Sequence, residues 1–240
     1  MRGRQVFLES LRLHGVTRVF GNPGTTETPL LDHLSENPEM EYIFHLHEGL
    51  AAGAAGFYAR ASGTTGVANM HVAPGLGNAI GMIYGVLKSN APVIITAGAQ
   101  DTRLRLTDPL LGHDLVAMAA PVTKWSVQVE HADEMARIMQ RAFKIANEHP
   151  KGPVFVALPI DVMEQETDNL ATTAGELIIA GQTDDNAVQQ LADKINNSTS
   201  IGIIAGDDVH QVDAPSTFAI RRKRPFFFVV TTSIESPGSL

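Results

Sequence analysis

YIFHLHEGLAAGAAGFYARASGTTGVANMHVAPGLGNAIGMIYGVLKSNAPVIITA, residues 42–97, decides the fold. Its apolar periodicity predicts strand Tyr42 to Leu46, helix Glu48 to Ala61, strand Gly66 to His71, helix Leu76 to Leu87 and strand Val93 to Ala97. Strands that alternate with helices build parallel sheets, and a parallel sheet is buried on both faces. The fold class read from this stretch is therefore α/β, a doubly wound parallel sheet with helices on both faces. The pattern extends upstream, where Val6, Phe7, Leu11 and Leu13 suit a helix over Gln5–His14 stopped by Gly15, followed by the strand Thr17–Phe20. Gly21 to Glu27 is dense in turn residues, and its threonines suit capping of a helix carrying Leu30, Leu31 and Leu34. Downstream come a polar stretch to Thr107, a helix near Leu111–Met118, a strand Trp125–Val129, a helix Asp133–Ala146 and a strand Val154–Leu158.

That alternation makes residues 1–160 one domain. Residues 161–175, rich in Glu, Asp and Thr, suit a linker over the surface, and 176–213, with a helix Asn186–Ile195 and a strand Ser200–Ala205, start a second α/β domain that is incomplete. The tail 214–240 changes character, with Arg221-Arg222-Lys223-Arg224 followed by Phe226-Phe227-Phe228. It reads as truncated or out of frame rather than as a nucleic-acid-binding patch, and its run Phe226–Val230 is an aggregation hazard if exposed.

Composition excludes several classes. In 240 residues, 44% hydrophobic and 18% charged side chains rule out a disordered chain. A net charge of −8 argues against nucleic acid or anionic membrane as general partners. With no cysteine there is no disulfide framework, thiolate nucleophile or zinc–thiolate site. Neither a signal peptide nor a run of about 18 apolar residues is found, which fits a cytoplasmic protein.

The chemistry concentrates at strand-to-helix junctions. Glu48 opens a helix of small residues in which Gly49, Gly53 and Gly56 share a face; Gly77, Gly81 and Gly85 repeat the device in the next helix. Each interior glycine costs about 0.8–1.0 kcal/mol relative to alanine, so a close approach is expected, whether of the neighbouring helix, another subunit or a flat ligand. Glu48 lies where open α/β sheets bind ligands. If buried, it must share a proton with a partner, and with no base nearby in sequence that partner is sought in a ligand nitrogen. Gly21–Thr26 and His71–Asn78 occupy equivalent junctions, and His71 suits a proton shuttle or a structural role. His45 and His47 have strand spacing but no third ligand, so no metal site is expected there. The glycines fit neither a dinucleotide fingerprint nor a P-loop.

VFGNPGTTETPL, HLHEGLAAGAAGFYARASG, ANMHVAPGLGNAIG, APVIITAGAQ and PVTKWSVQV follow one another in an order that resembles the N-terminal pyrimidine-binding domain of thiamine-diphosphate-dependent decarboxylases and carboligases. Benzoylformate decarboxylases are the nearer likeness and acetolactate synthases the more distant, over roughly residues 3–212. The resemblance implies that Glu48 bonds the cofactor's aminopyrimidine and favours the imino tautomer that activates the thiazolium carbon for attack on a 2-oxo acid. It implies that His71 relays protons, that Thr25 stands where benzoylformate decarboxylases have serine, and that Pro23, Gly24, Pro74 and Asn78 line the cofactor crevice. Threonine adds a methyl, which puts an aromatic substrate preference in doubt. Magnesium and the diphosphate belong, by the same resemblance, to a C-terminal domain with a GDG motif; Gly206-Asp207-Asp208 does not replace it. The expected protein is then one half of a thiamine diphosphate site. It is inactive alone, completed by another domain or a separate diphosphate-domain subunit, and paired as a homodimer or larger oligomer through its glycine-faced helices. A non-catalytic pairing or interaction protein that keeps the fold is the alternative.

Overall fold

The computed structural model describes residues 1–175, 184–205 and 226–230. The chain divides into two units, Met1–Leu177 and Ile178–Leu240. In the first, the elements run α1 (Gly3–Leu13), β1 (Arg18–Gly21), α2 (Thr28–Ser35), β2 (Glu41–Phe44), α3 (Glu48–Ser62), β3 (Gly66–Met70), α4 (Val72–Lys88), β4 (Val93–Ala99), α5 (Leu115–Ala119), β5 (Trp125–Gln128), α6 (Met135–Asn147), β6 (Val154–Pro159) and α7 (Ile160–Glu164). The six strands form one parallel sheet in the order β2-β1-β3-β4-β6-β5.

Successive side chains of a strand point to opposite faces, and the core divides accordingly. Ile94, Val154, Val156 and Leu158 join α1, α2, α6 and α7 on one face, through Phe7, Leu11, Leu30, Met139 and Val162. Val93, Ile95, Ala97, Phe155 and Ala157 join α3, α4 and α5 on the other, through Ala52, Ala55, Leu76, Ile83 and Leu115. A sheet buried on both faces explains why β4 and β6 read as unbroken apolar runs.

Small residues set how closely the second face packs. A Cβ on Gly66 would lie 2.3 Å from the carbonyl oxygen of Ala55, so α3 rests on the backbone of β3. The glycines of α3 turn towards α4: a Cβ on Gly53 would meet Met82 at 3.3 Å, and one on Gly56 would meet Val86 at 2.9 Å. Their close approach is thus made within the chain. On α4 the situation is reversed, since a Cβ on Gly81 would meet nothing within 4 Å and one on Gly77 or Gly85 would touch a neighbour only at 3.9 Å. Gly63 ends α3 at φ 73°, a left-handed C-cap that glycine adopts without strain.

Two boundaries differ from expectation. Helix α4 starts at Val72, one turn earlier than its apolar periodicity suggests, because Pro74 is tolerated in a first turn whose N–H groups lack intrahelical partners. The segment expected as a surface linker from 161 begins instead inside α7, whose Val162 and Met163 are buried in the first core. Thr167 then bonds back to Met1, and the Ala174 N–H donates to His14 Nε2.

The second unit contains α8 (Asp185–Asn197), β7 (Ile201–Ala205) and β8 (Phe226–Val230). β7 and β8 pair in parallel, Ile201 opposite Phe226 through Ala205 opposite Val230. The apolar run of the tail is therefore a paired strand. Gly206-Asp207-Asp208 and the basic cluster 221–224 lie outside the described residues.

Candidate cofactor site

The strand order places β1 between β2 and β3, so the chain leaves β1 for one side and later returns to the other. Ligands of open α/β sheets bind at this reversal, beyond the carboxyl ends of the strands. Three segments meet there: the loop and single 3₁₀ turn after β1 (Gly21–Glu27), the start of α3 after β2, and the start of α4 after β3.

Glu48 is the first residue of α3 and is only 6% exposed. Its carboxylate is held from both sides: Asn22 Nδ2 donates to Oε1 at 3.1 Å and Asn78 Nδ2 to Oε2 at 3.0 Å. Gly75 leaves room for it, since a Cβ there would sit 3.1 Å from Oε1. A carboxylate has about four acceptor positions, so two amide donors leave capacity for a ligand N–H. Both donors are neutral amides, which orient the carboxylate without adding a countercharge. Asn78 was expected at this crevice. Asn22 was not singled out, although its place before Pro-Gly in a turn is a usable signal, because polar turn residues commonly face solvent.

His71 is the N-cap residue of α4, and Val72 follows it at φ 44°, a strained conformation for a buried β-branched residue. Its Nδ1 lies 2.8 Å from Glu27 Oε2. Gly24 is flush against the ring, for a Cβ there would fall 2.3 Å from Nδ1. Glu27, 2% exposed, also accepts from the Gly24 N–H at 2.8 Å, the Thr26 hydroxyl at 2.8 Å and the Gly98 N–H at 2.9 Å. Sequence reasoning missed Glu27 and Gly98 altogether: a glutamate at the end of a turn reads as a solvated helix-start residue.

Of the remaining candidates, Pro23 is half-buried beside Gly24, and Thr25 and Pro74 are exposed on the same two segments. His47 caps α3 by accepting the Gly49 N–H at 3.0 Å, and His45 Nδ1 donates to the Ile43 carbonyl at 3.0 Å. Both histidines thus have backbone partners. Among the described residues no group of three or more His, Cys, Asp or Glu side chains is placed to hold a metal ion.

Residues 1–118 match the family described as thiamine pyrophosphate enzyme, N-terminal TPP binding domain. The chain belongs to the thiamine pyrophosphate enzymes. Among curated members of this family, benzoylformate decarboxylase from Pseudomonas aeruginosa is 32% identical over 213 residues, covering 86% of this chain and 39% of that protein. The mitochondrial acetolactate synthase of Schizosaccharomyces pombe is 33% identical over 160 residues, 67% of this chain and 24% of that protein. Among solved structures, the thiamine diphosphate-dependent 4-hydroxybenzoylformate decarboxylase of Rhodococcus jostii RHA1 superposes with a TM-score of 0.82 at 27% identity, over 95% of this chain and 44% of that one. The chain thus spans about two fifths of the nearer relatives. The match of family, sheet and helices agrees with the fold expected from the sequence.

The residues present suit the pyrimidine half of the family's cofactor. A buried carboxylate with spare acceptor capacity, framed by neutral amides and a glycine that admits close approach, suits the N–H of an aminopyrimidine.

Proposed function

We propose that this chain forms the aminopyrimidine-binding half of a thiamine diphosphate site in a 2-oxo acid decarboxylase or carboligase. The observation that carries the reading is the buried Glu48 carboxylate, clamped by Asn22 and Asn78 at the carboxyl edge of the sheet. Thiamine diphosphate, when bound, supplies the electron sink that lets a 2-oxo acid lose carbon dioxide. Glu48 holds the aminopyrimidine by sharing a proton with it at a carboxylate oxygen. Asn22 and Asn78 fix the direction of that carboxylate. Pro23, Gly24, Pro74 and Asn78 line the approach, Thr25 offers a hydroxyl on its exposed side, and His71 moves protons at its imidazole.

Magnesium and the diphosphate are held by a further domain or by a separate subunit, and the 2-oxo acid binds between the two halves. Pairing through α3 and α4 is favoured by a specific pattern. Leu50 and Phe57 of α3 and Met82 and Tyr84 of α4 are exposed large apolar side chains, and the glycine face of α4 is open. Exposed apolar area of this kind marks interaction surfaces. The same pattern would serve the alternative, a subunit-pairing protein without catalysis. No helix among the described residues is long and apolar enough to cross a membrane, and a cytoplasmic setting is part of this proposal.

Titration of the purified chain with thiamine diphosphate and magnesium, alone and with a protein carrying the diphosphate domain, tests the reading. Binding or activity that appears with the partner and disappears in Glu48→Gln is expected. Absence of binding in both mixtures would leave the pairing protein.

A further inference from the structure

Glu27 is a buried carboxylate for which the cofactor scheme above has no task. Its four hydrogen bonds account for all of its acceptor positions: Oε2 takes the Gly24 N–H and His71 Nδ1, Oε1 takes the Gly98 N–H and the Thr26 hydroxyl. Two of these donors are backbone N–H groups, which cannot reverse. A carboxylate surrounded in this way accepts only, so the hydrogen between Oε2 and His71 must be carried by Nδ1. The Thr26 hydroxyl, having donated its proton to Glu27, presents a lone pair to the same nitrogen at 3.3 Å and favours the same assignment.

We propose that Glu27 is a positioning residue that locks His71 in the Nδ1–H tautomer, leaving Nε2 as the nitrogen that accepts and returns the proton. Among the described residues Nε2 has no hydrogen-bond partner, and the imidazole is a quarter exposed while the Glu27 side chain is sealed at 1%. A proton taken up at Nε2 makes an imidazolium whose other N–H already meets an anion, so the ring gains charge without reorganising its surroundings. The same logic orients the histidine of a Ser-His-Asp triad.

The backbone is built around this contact. A Cβ on Gly98 would lie 2.0 Å from Glu27 Oε1 and 2.4 Å from the Thr26 hydroxyl, and one on Gly24 would overlap the His71 ring. Both glycines therefore mark where backbone must come close enough to seat the carboxylate and the imidazole. Val72, directly after His71, keeps a strained φ of 44° beside this contact.

The proposal rests on the cofactor reading only for the use made of Nε2; the tautomer is tested without cofactor. Two-bond ¹H–¹⁵N correlation spectra of the full 240-residue chain, with ¹⁵N-labelled histidine, report which nitrogen carries the proton. In the wild type His71 should show protonated Nδ1 and bare Nε2 at a pH where the ring is neutral. His14, whose Nδ1 faces the Ser10 carbonyl and whose Nε2 accepts the Ala174 N–H, serves as a reference that should not change in any variant. In Glu27→Gln an NH2 group replaces one oxygen and faces two of the four donors, and the His71 proton should move to Nε2 or be shared. Gly24→Ala, which displaces the ring while keeping the carboxylate, should do the same and covers the case in which Glu27→Gln fails to fold. A wild-type His71 protonated at Nε2, or an Nδ1–H tautomer unchanged in a folded Glu27→Gln, overturns the proposal. Either result would leave a Glu48-dependent binding of thiamine diphosphate untouched, and loss of that binding would leave the tautomer result standing.

Discussion

Gly98→Ala places one methyl group against the buried, four-fold hydrogen-bonded Glu27 carboxylate. The new Cβ would stand 2.0 Å from Glu27 Oε1, about 1.5 Å short of an ordinary van der Waals contact. Glu27 cannot retreat without giving up the Gly98 N–H at 2.9 Å and the Thr26 hydroxyl at 2.8 Å, and at 2% exposure water does not replace them. Each buried polar group left unsatisfied costs about 1–3 kcal/mol, so a destabilisation of about 2–6 kcal/mol is expected. The chain has a single tryptophan, Trp125, and it lies in β5 of the first unit, so fluorescence follows that unit alone through a urea transition. With a slope of about 2 kcal/mol per molar, the midpoint should fall by roughly 1–3 M. A cycle separates the cause: in a Glu27→Ala background the clash with Oε1 is gone while that with Thr26 remains, so Gly98→Ala should cost clearly less than in the wild type, giving a coupling between the two sites. A midpoint within about 0.3 M of wild type, or two effects that simply add, would refute the reasoning.

Further outcomes follow from the same geometry. Gly81→Ala adds a methyl where nothing lies within 4 Å and should raise the urea midpoint, by about 0.8–1.0 kcal/mol of helix propensity, while weakening any self-association measured by sedimentation. Asn22→Ala removes one of the two donors to Glu48 and should cost about 1–3 kcal/mol in thermal or urea unfolding, with a larger loss for Asn22→Asp, which sets a second anion beside Glu48. Burial pushes the Tyr42 phenol well above its ordinary value of 10, and the Glu27 carboxylate adds to the shift. Its contribution to stability is thus complete below about pH 10 and is lost as pH rises further, so Tyr42→Phe should unfold more easily at about pH 8, for want of the Asn69 hydrogen bond, yet lose less between pH 8 and about 11. The Arg103 guanidinium beside Asp101 holds that carboxyl down to about 2, so the pair's stabilisation is full above about pH 4 and fades towards pH 2. With Arg103 open to solvent, Asp101→Asn should change stability at neutral pH by less than about 1 kcal/mol.

The elements most legible in the sequence were those with long, strongly periodic stretches. α3, β3, β4 and β6 fall within two residues of the spans read from apolar spacing, because a sheet covered on both faces demands continuous apolar strands. Short pieces were not legible: α7 was absorbed into an expected linker, since five residues are too few to show a helical period and only the core makes Val162 and Met163 worth burying. Glu48 was legible because a carboxylate heading a helix of alanines and glycines has no local partner. Glu27 was not, because its partners at Gly24, Gly98 and His71 are spread along the chain and a turn glutamate with no visible company reads as solvated.

By itself the amino-acid order determined an alternating α/β sheet, a carboxylate at position 48 and a histidine at 71 at equivalent strand-to-helix junctions, and helices with glycine stripes. Those are consequences of period and residue type, which act over a few turns of chain. Only the tertiary structure decided that the stripe on α3 is spent on α4 while that on α4 stays open. It alone decided that two asparagines rather than a base hold Glu48, and that Glu27 lies behind His71. Each of these depends on which segments meet at the reversal of strand order. That meeting brings residues far apart in the chain within hydrogen-bond distance, where the directional chemistry of a buried carboxylate, not local propensity, selects the arrangement.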